Sequence, residues 1–384
     1  MIYRCSERPA GGGDRPRQPA FGAGLSVDMH CHVHVDAADA MVAPFREPGQ
    51  EPILHFTNDA TMAENRLSLR AAKPKLDSLE ARLDDMDAAG IDLQVLSPSP
   101  FQYFYWAEPD LARRTSRLIN EWIAEQAARR PDRFAGFATV PLQDTRLAIE
   151  ELDHAITRLG LKGVEIGTLA GTDELSAERL APFFARAEAL GSLVFIHPNG
   201  FSHGARFAAH NLINLIGNPL ETTLSASRLI FDGTLDRFPR VNFCLAHGGG
   251  YLPMYFGRMD HAHAARSDCR LCIDAAPSGY LRRFHFDTVV YTTAQLDFLA
   301  QTYGADRLVM GSDYPYDMCE PDPMSLVCSS TVLTDDEKAL VIGGNALRLL
   351  GLSGEALAAM QAARDARLGR LVAEPGQAFA AGQH

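Results

Sequence analysis

Short apolar runs bounded by turn residues alternate along the chain with longer stretches of helical period. SVDMHCHVHV (26–35), IDLQVLS (91–97), FAGFATV (134–140), GVEIG (163–167), LVFIH (193–197), VNFCLAH (241–247), FHFDTVV (284–290) and RLVMGSD (307–313) read as eight strands. Between them, stretches such as DLARRTSRLINEWIAEQAARR (110–130) and AERLAPFFARAEALG (177–191) carry apolar residues three and four apart. This alternation predicts an α/β fold with a parallel sheet, and eight strands predict a closed (β/α)8 TIM barrel, with an open doubly wound sheet as the alternative.

Three departures from the repeat set the domain boundaries. Residues 36–76 are too long for a tight strand-to-helix connection and are expected to form an inserted lid after the first strand. Residues 1–24, rich in Gly, Pro and Arg, read as a flexible N-terminal extension, and 25–352 as the barrel. Residues 353–384 then hold a C-terminal helix and a tail.

Composition narrows the partners. A net charge of −12 argues against nucleic acid or an anionic membrane, which call for a basic face, and leaves a small molecule. No run of about 18 apolar residues predicts a membrane span, and no hydrophobic signal core opens the sequence. Seven cysteines without disulfide spacing fit a reducing cytoplasm, and CRLC (269–272) lacks the second pair that a cysteine zinc site needs. No glycine-rich phosphate loop is present.

The first strand is unusual. Period two places Asp28, His30, His32 and His34 on one face, with Val27, Met29, Cys31, Val33 and Val35 on the other. Three histidines in one row are costly to bury without partners, so the row either faces water or holds a metal. The other strands favour the metal: His197, His247 and Asp313 fall at the C-terminal ends of strands five, six and eight, where barrels carry their chemistry. Imidazole and carboxylate together are ligands that zinc accepts.

Several blocks carry a family resemblance: DMHCH (28–32), LKGVEIGT (161–168), HP (197–198), FDGTLDRFPRVNFCLAHGGGYLPMYFGRMDH (231–261), VMGSDYP (309–315) and GNAL (344–347). In this order the sequence resembles the amidohydrolase superfamily, and within it the aminocarboxymuconate-semialdehyde decarboxylase group. The resemblance implies a metal-dependent barrel that holds zinc (Zn2+, with Mn2+ as the alternative) on His30, His32, His197 and Asp313. It makes His247 the catalytic histidine, gives Asp313 a catalytic as well as a ligand role, and implies a homodimer. Arg258 in YFGRMDH matches a substrate arginine that the family contributes from the neighbouring subunit, and a gap-free count puts Arg70 opposite a second. The family's aromatic residue after His-Pro is Asn199 here, with Phe201 as a candidate replacement ring. His34 is then surplus and is expected as a solvated loop histidine, and HAH (261–263) is expected in solvent.

The expected activity is a zinc-dependent, non-oxidative decarboxylation (a carbon–carbon lyase reaction) of an aromatic or muconate-type carboxylate, with His247 as general acid/base on metal-bound water. The alternative is a zinc hydrolase of a lactone, amide, ester or ring-cleavage product with the same residues. A third reading, a barrel keeping zinc only for binding or regulation, is disfavoured by the intact ligand set.

Overall fold

The computed structural model describes residues 24–47 and 49–373; the expected N-terminal extension, apart from Gly24, and the tail from 374 lie outside them. Eight parallel strands are hydrogen-bonded in chain order: β1 (Val27–Val33), β2 (Leu93–Pro98), β3 (Phe134–Ala138), β4 (Gly163–Ile166), β5 (Leu193–Ile196), β6 (Asn242–Leu245), β7 (Phe284–Asp287) and β8 (Leu308–Val309). The circle nearly closes through Met29 N to Met310 O at 2.9 Å, Asp313 N to His30 O at 2.7 Å and His32 N to Tyr314 O at 2.7 Å. The barrel predicted from the alternation is therefore the observed fold.

Alternation along the strands builds two apolar layers. Val27, Met29, Val95, Phe137 and Phe195 fill the barrel interior, while Val33, Leu96, Val164 and Ile196 pack against helix residues such as Ile119, Leu152 and Phe183. Each such side chain, fully buried, contributes roughly 1.5–3 kcal/mol of hydrophobic stabilisation. At the N-terminal end the helix Gly354–Ala373 closes the barrel floor: Met360 joins the interior cluster, and Arg364 reaches Asp92 at 3.3 Å.

The segment between β1 and β2 folds into the helices Asp36–Val42, Pro52–His55, Asp59–Asp77 and Glu80–Ala89. It packs closely on the loop after β5. Gly200, at φ +81°, approaches so near that an added Cβ would lie 2.5 Å from the Ile53 nitrogen. Strand β8 is shorter than the apolar run suggested, because beyond Val309 the chain turns through Gly311 and Ser312 to Asp313, which adopts φ 65°. No helix of the described residues is long and apolar enough to cross a membrane.

Candidate metal centre and its cavity

A bulge in β1 aims the first two histidines. Asp28 pairs with Gln94, but Cys31, three residues on, pairs with Leu96, so one extra residue is accommodated between them. Val27 and Met29 accordingly pack inside the barrel, whereas Cys31 and Val33 pack in the outer layer. This corrects the single polar row: His30 and His32 point inward, and Asp28 lies on the opposite face. There it ties β1 to its neighbours, accepting from Ser312 Oγ at 2.6 Å, the Ser312 nitrogen at 3.0 Å and Gln94 Nε2 at 3.1 Å.

His30, His32, His197 and Asp313 converge so that one ligand atom from each lies within 4.8 Å of the others. The tautomers decide what this cluster wants. His30 Nδ1 faces Asp287 Oδ2 at 2.6 Å, and His32 Nδ1 faces the Pro98 carbonyl at 3.1 Å. Both partners are acceptors, so each neutral ring carries its proton on Nδ1 and a lone pair on Nε2. Those two Nε2 atoms stand 3.2 Å apart, and Asp313 Oδ1 is 3.3 Å from the first and 3.2 Å from the second. Lone pairs facing one another are repulsive unless a cation sits between them. Both ring nitrogens of buried His197 are also without a hydrogen-bond partner among the described residues. The donor set, all imidazole nitrogen and carboxylate oxygen, fits a divalent metal.

Electrostatics agree with that reading. Burial, reinforced by the neighbouring imidazoles of His32, His30 and His247, holds the His197 pKa well below its ordinary value, so the ring stays neutral. Burial pulls His30 the same way, yet the Asp313 and Asp287 carboxylates outweigh it and raise its pKa well above the usual range. Against burial, His30 and His247 hold Asp313 well below the carboxylate range. The anions thus demand positive charge at this point, which a metal ion supplies in place of a proton.

His247 stands beside the cluster, its Nε2 3.5 Å from Asp313 Oδ2. Its backbone is left-handed, at φ 55°, and is held there by Asp287, which accepts from the nitrogens of His247 at 3.0 Å and Gly248 at 2.8 Å. Asp287 was not singled out from the sequence. It sits in the middle of the apolar run FHFDTVV, not at its end, and only the observed strand, Phe284–Asp287, stops at it. Glu165, fully buried on β4, is likewise new to the site, with Oε1 3.9 Å from His32 Nδ1 and accepting from Tyr103 at 2.7 Å.

A cavity opens over the cluster. His197, His247 and Asp313 line it together with Asn199, Tyr316 and Asp317, and the inserted segment contributes Ile53, Leu54, Asn65, Ser68 and Leu69. The remaining expectations divide. Asn199 lines this cavity, but Phe201 does not; its ring packs toward Phe207 at 5.9 Å. Arg70 is exposed and absent from the lining, because one residue past Leu69 a helix has turned by about 100° away from the face that Asn65, Ser68 and Leu69 share. Arg258 is exposed on the helix Leu252–Ala265, outside its own chain's cavity.

His34 lies in the loop after β1, as expected, but it is not simply solvated: its Nε2 lies 3.1 Å from Asp39 Oδ2 with the ring half-buried. In HAH only His261 is exposed; His263 is buried with Nε2 3.4 Å from the Ile273 carbonyl, since residues two apart leave a helix in different directions. Cys269 and Cys272 are both unpaired.

The amidohydrolase family model matches residues 27–352, which span the whole barrel and every residue of the cluster. The chain belongs to this amidohydrolase family. It is 35% identical over 330 residues to 2-amino-3-carboxymuconate-6-semialdehyde decarboxylase of Dictyostelium discoideum, covering 85% of this chain and 92% of that one. Among solved structures, 5-carboxyvanillate decarboxylase from Sphingomonas paucimobilis superposes with a TM-score of 0.77 at 26% identity, over 86% of this chain and 99% of that one. A dihydroxybenzoic acid decarboxylase from a Polaromonas species, solved with bound manganese and the inhibitor 2-nitroresorcinol, gives 0.72 at 25% identity, over 87% and 99%.

Proposed function

We propose that this amidohydrolase is a divalent-metal-dependent, non-oxidative decarboxylase of a small aromatic or muconate-type carboxylate. The observation that carries the reading is the pair of fixed Nε2 lone pairs of His30 and His32, 3.2 Å apart, closed by His197 and Asp313 beneath a cavity that His247 also lines. The named activities of its relatives support the choice of decarboxylation over hydrolysis. Zinc is the metal we assign, with manganese the alternative on the precedent of the Polaromonas enzyme.

Bound on these four residues, the metal supplies positive charge against the substrate carboxylate and the charge that develops as the carbon–carbon bond breaks. His247 provides the proton. Its ring lines the cavity, so it is placed to protonate the carbon that bears the carboxylate. The bond to the carboxyl carbon then breaks, its electron pair returns to the substrate, and CO2 leaves. One proton is consumed for each CO2 released.

The active unit we propose is a homodimer. The residues that line the cavity include Asp313 and Asp317 but neither lysine nor arginine, so a second cation for an anionic substrate must come from elsewhere. Tyr251, Met254, Tyr255 and Arg258 form an exposed stripe at positions i, i+3, i+4 and i+7 along one helix face, and Leu224 is exposed as well. A two-fold contact through this stripe would deliver Arg258 to the partner's cavity reciprocally. The seven cysteines lack disulfide-framework spacing, which supports the reducing, cytoplasmic setting we propose.

The test is CO2 release by the purified, metal-loaded enzyme from hydroxybenzoates and muconate-type acids, run beside lactones, esters and amides. CO2 with the matching decarboxylated product is the expected result. Hydrolysis without any CO2 release would overturn the proposal.

A further inference from the structure

Arg82 is fully buried on the helix Glu80–Ala89, and no carboxylate lies within ion-pair reach of it among the described residues. A buried charge without an anion is costly, and an apolar side chain of similar length would fill the space at less cost. What the guanidinium adds is a rigid planar fork of donors. Nε donates to the Lys75 carbonyl at 2.8 Å, Nη1 to Gln94 Oε1 on β2 at 3.4 Å, and Nη2 to the carbonyl of the metal-facing His32. Its cationic face lies over the Tyr314 ring, with Cζ 5.0 Å from the centroid. Tyr314 directly follows Asp313, and its hydroxyl donates to Asp85 Oδ2 at 2.8 Å, on the same helix as Arg82.

These contacts meet at the seam where the barrel closes. Strand β8 is only two residues long, so the turn that carries Asp313 joins β1 through isolated backbone bonds such as His32 N to Tyr314 O at 2.7 Å. We propose that Arg82 is a positioning residue of the metal centre: from the segment between β1 and β2 it clamps the His32 carbonyl and the Tyr314 ring, and so fixes the ligands His32 and Asp313 relative to one another. The inference rests on the four-residue metal centre given above. It adds a tie from the inserted segment to two of the ligands.

Metal affinity by chelator competition, together with the visible absorption spectrum of the cobalt(II)-loaded protein, tests it. Arg82→Met keeps an unbranched stem and removes the charge and every donor. It should bind zinc about 10- to 100-fold more weakly, as for other contacts that orient ligands, with a shifted cobalt spectrum. Arg133→Met is the control. Arg133 is just as deeply buried but holds the carbonyls of Ile91 and Asp92 at the N-terminal end of β2, away from the cluster. Its loss should lower Tm and leave both metal readings at their wild-type values. Circular dichroism checks folding. Should Arg82→Met not fold, Arg82→Lys decides, since an ammonium keeps the charge but not the fork and should weaken metal binding to a smaller degree. Wild-type affinity and spectrum in the Arg82 variant that decides, an equal loss in Arg133→Met, or failure of both Arg82 variants to fold overturns the inference. These readings follow metal and not CO2, so they remain decisive if the decarboxylase reading fails. Wild type that binds no metal overturns the metal centre itself, and this inference with it.

Discussion

Asp287 Oδ2 lies 2.6 Å from His30 Nδ1, and the same carboxylate accepts the backbone nitrogens of His247, Gly248 and Val289. One buried acid therefore fixes the tautomer of a metal-facing histidine and the left-handed turn that carries the proposed proton donor. The carboxylate is fully buried, so none of these contacts is shared with solvent.

Asp287→Asn should weaken metal binding by about 10- to 100-fold, the usual cost of losing such a supporting contact. An asparagine can offer N–H to Nδ1, which moves the ring proton to Nε2 and removes the lone pair that faces the cluster. Competition with a chelator measures this independently of turnover. Wild-type metal affinity in the variant would show that Asp287 has no part in holding His30.

Replacing His247 by asparagine should leave the metal in place and lower turnover by about 10²–10⁴, the range for loss of a general acid–base group. The ring stands 3.5 Å from Asp313 but is not needed to complete the four-residue cluster. Metal content together with kcat on the same preparation separates the two roles. Near-normal turnover in a fully metallated variant would remove His247 from the reaction.

Glu51 ties stability to pH. Burial pushes its pKa up from 4.5 to about 7, against the hydrogen bonds from Trp106 and Asn199 that favour the charged form. Below 4.5 the group is protonated whether the chain is folded or unfolded. As pH rises from there to about 7, the unfolded chain gives up its proton first, so this group's contribution to stability is lost across that window. Glu51→Gln lacks the titration. Its Tm relative to wild type should therefore climb as buffers go from about pH 5 to about pH 8. A difference in Tm that stays constant over this range would place Glu51 outside any such linkage.

Arg258 and His247 should complement one another across the dimer. Arg258→Ala and His247→Ala are each expected to be nearly inactive as homodimers. Unfolded together and reassociated in equal amounts, about half the dimers are mixed under random pairing. Each mixed dimer holds one site with His247 from its own chain and Arg258 from the other, and that site should release CO2. Mixed dimers that form but stay inactive would contradict the shared site.

The barrel was legible because strand and helix periods differ so clearly here. Interior and outer-layer residues alternate along the strands outside the β1 bulge, and His197, His247 and Asp313 announce themselves by falling where those runs end. The bulge between Asp28 and Cys31 was not legible: one extra residue leaves the hydrophobic pattern of β1 unchanged while turning Asp28 to the opposite face from His30. Arg70 misled because a count along the sequence ignores helix phase. The anchoring of Asn199 depends on Glu51, Pro100 and Trp106, partners about 100 to 150 positions away, and no local spacing encodes their meeting.

The most direct measurement of the central claim is CO2 release by protein first stripped of metal with a chelator and then titrated with zinc or manganese, for wild type beside His197→Ala. The account predicts that stripped wild type releases no CO2 and recovers fully near one equivalent of metal, whereas His197→Ala binds weakly and does not recover. Full CO2 release from stripped wild type, or equal recovery of the two proteins at one equivalent, would contradict it.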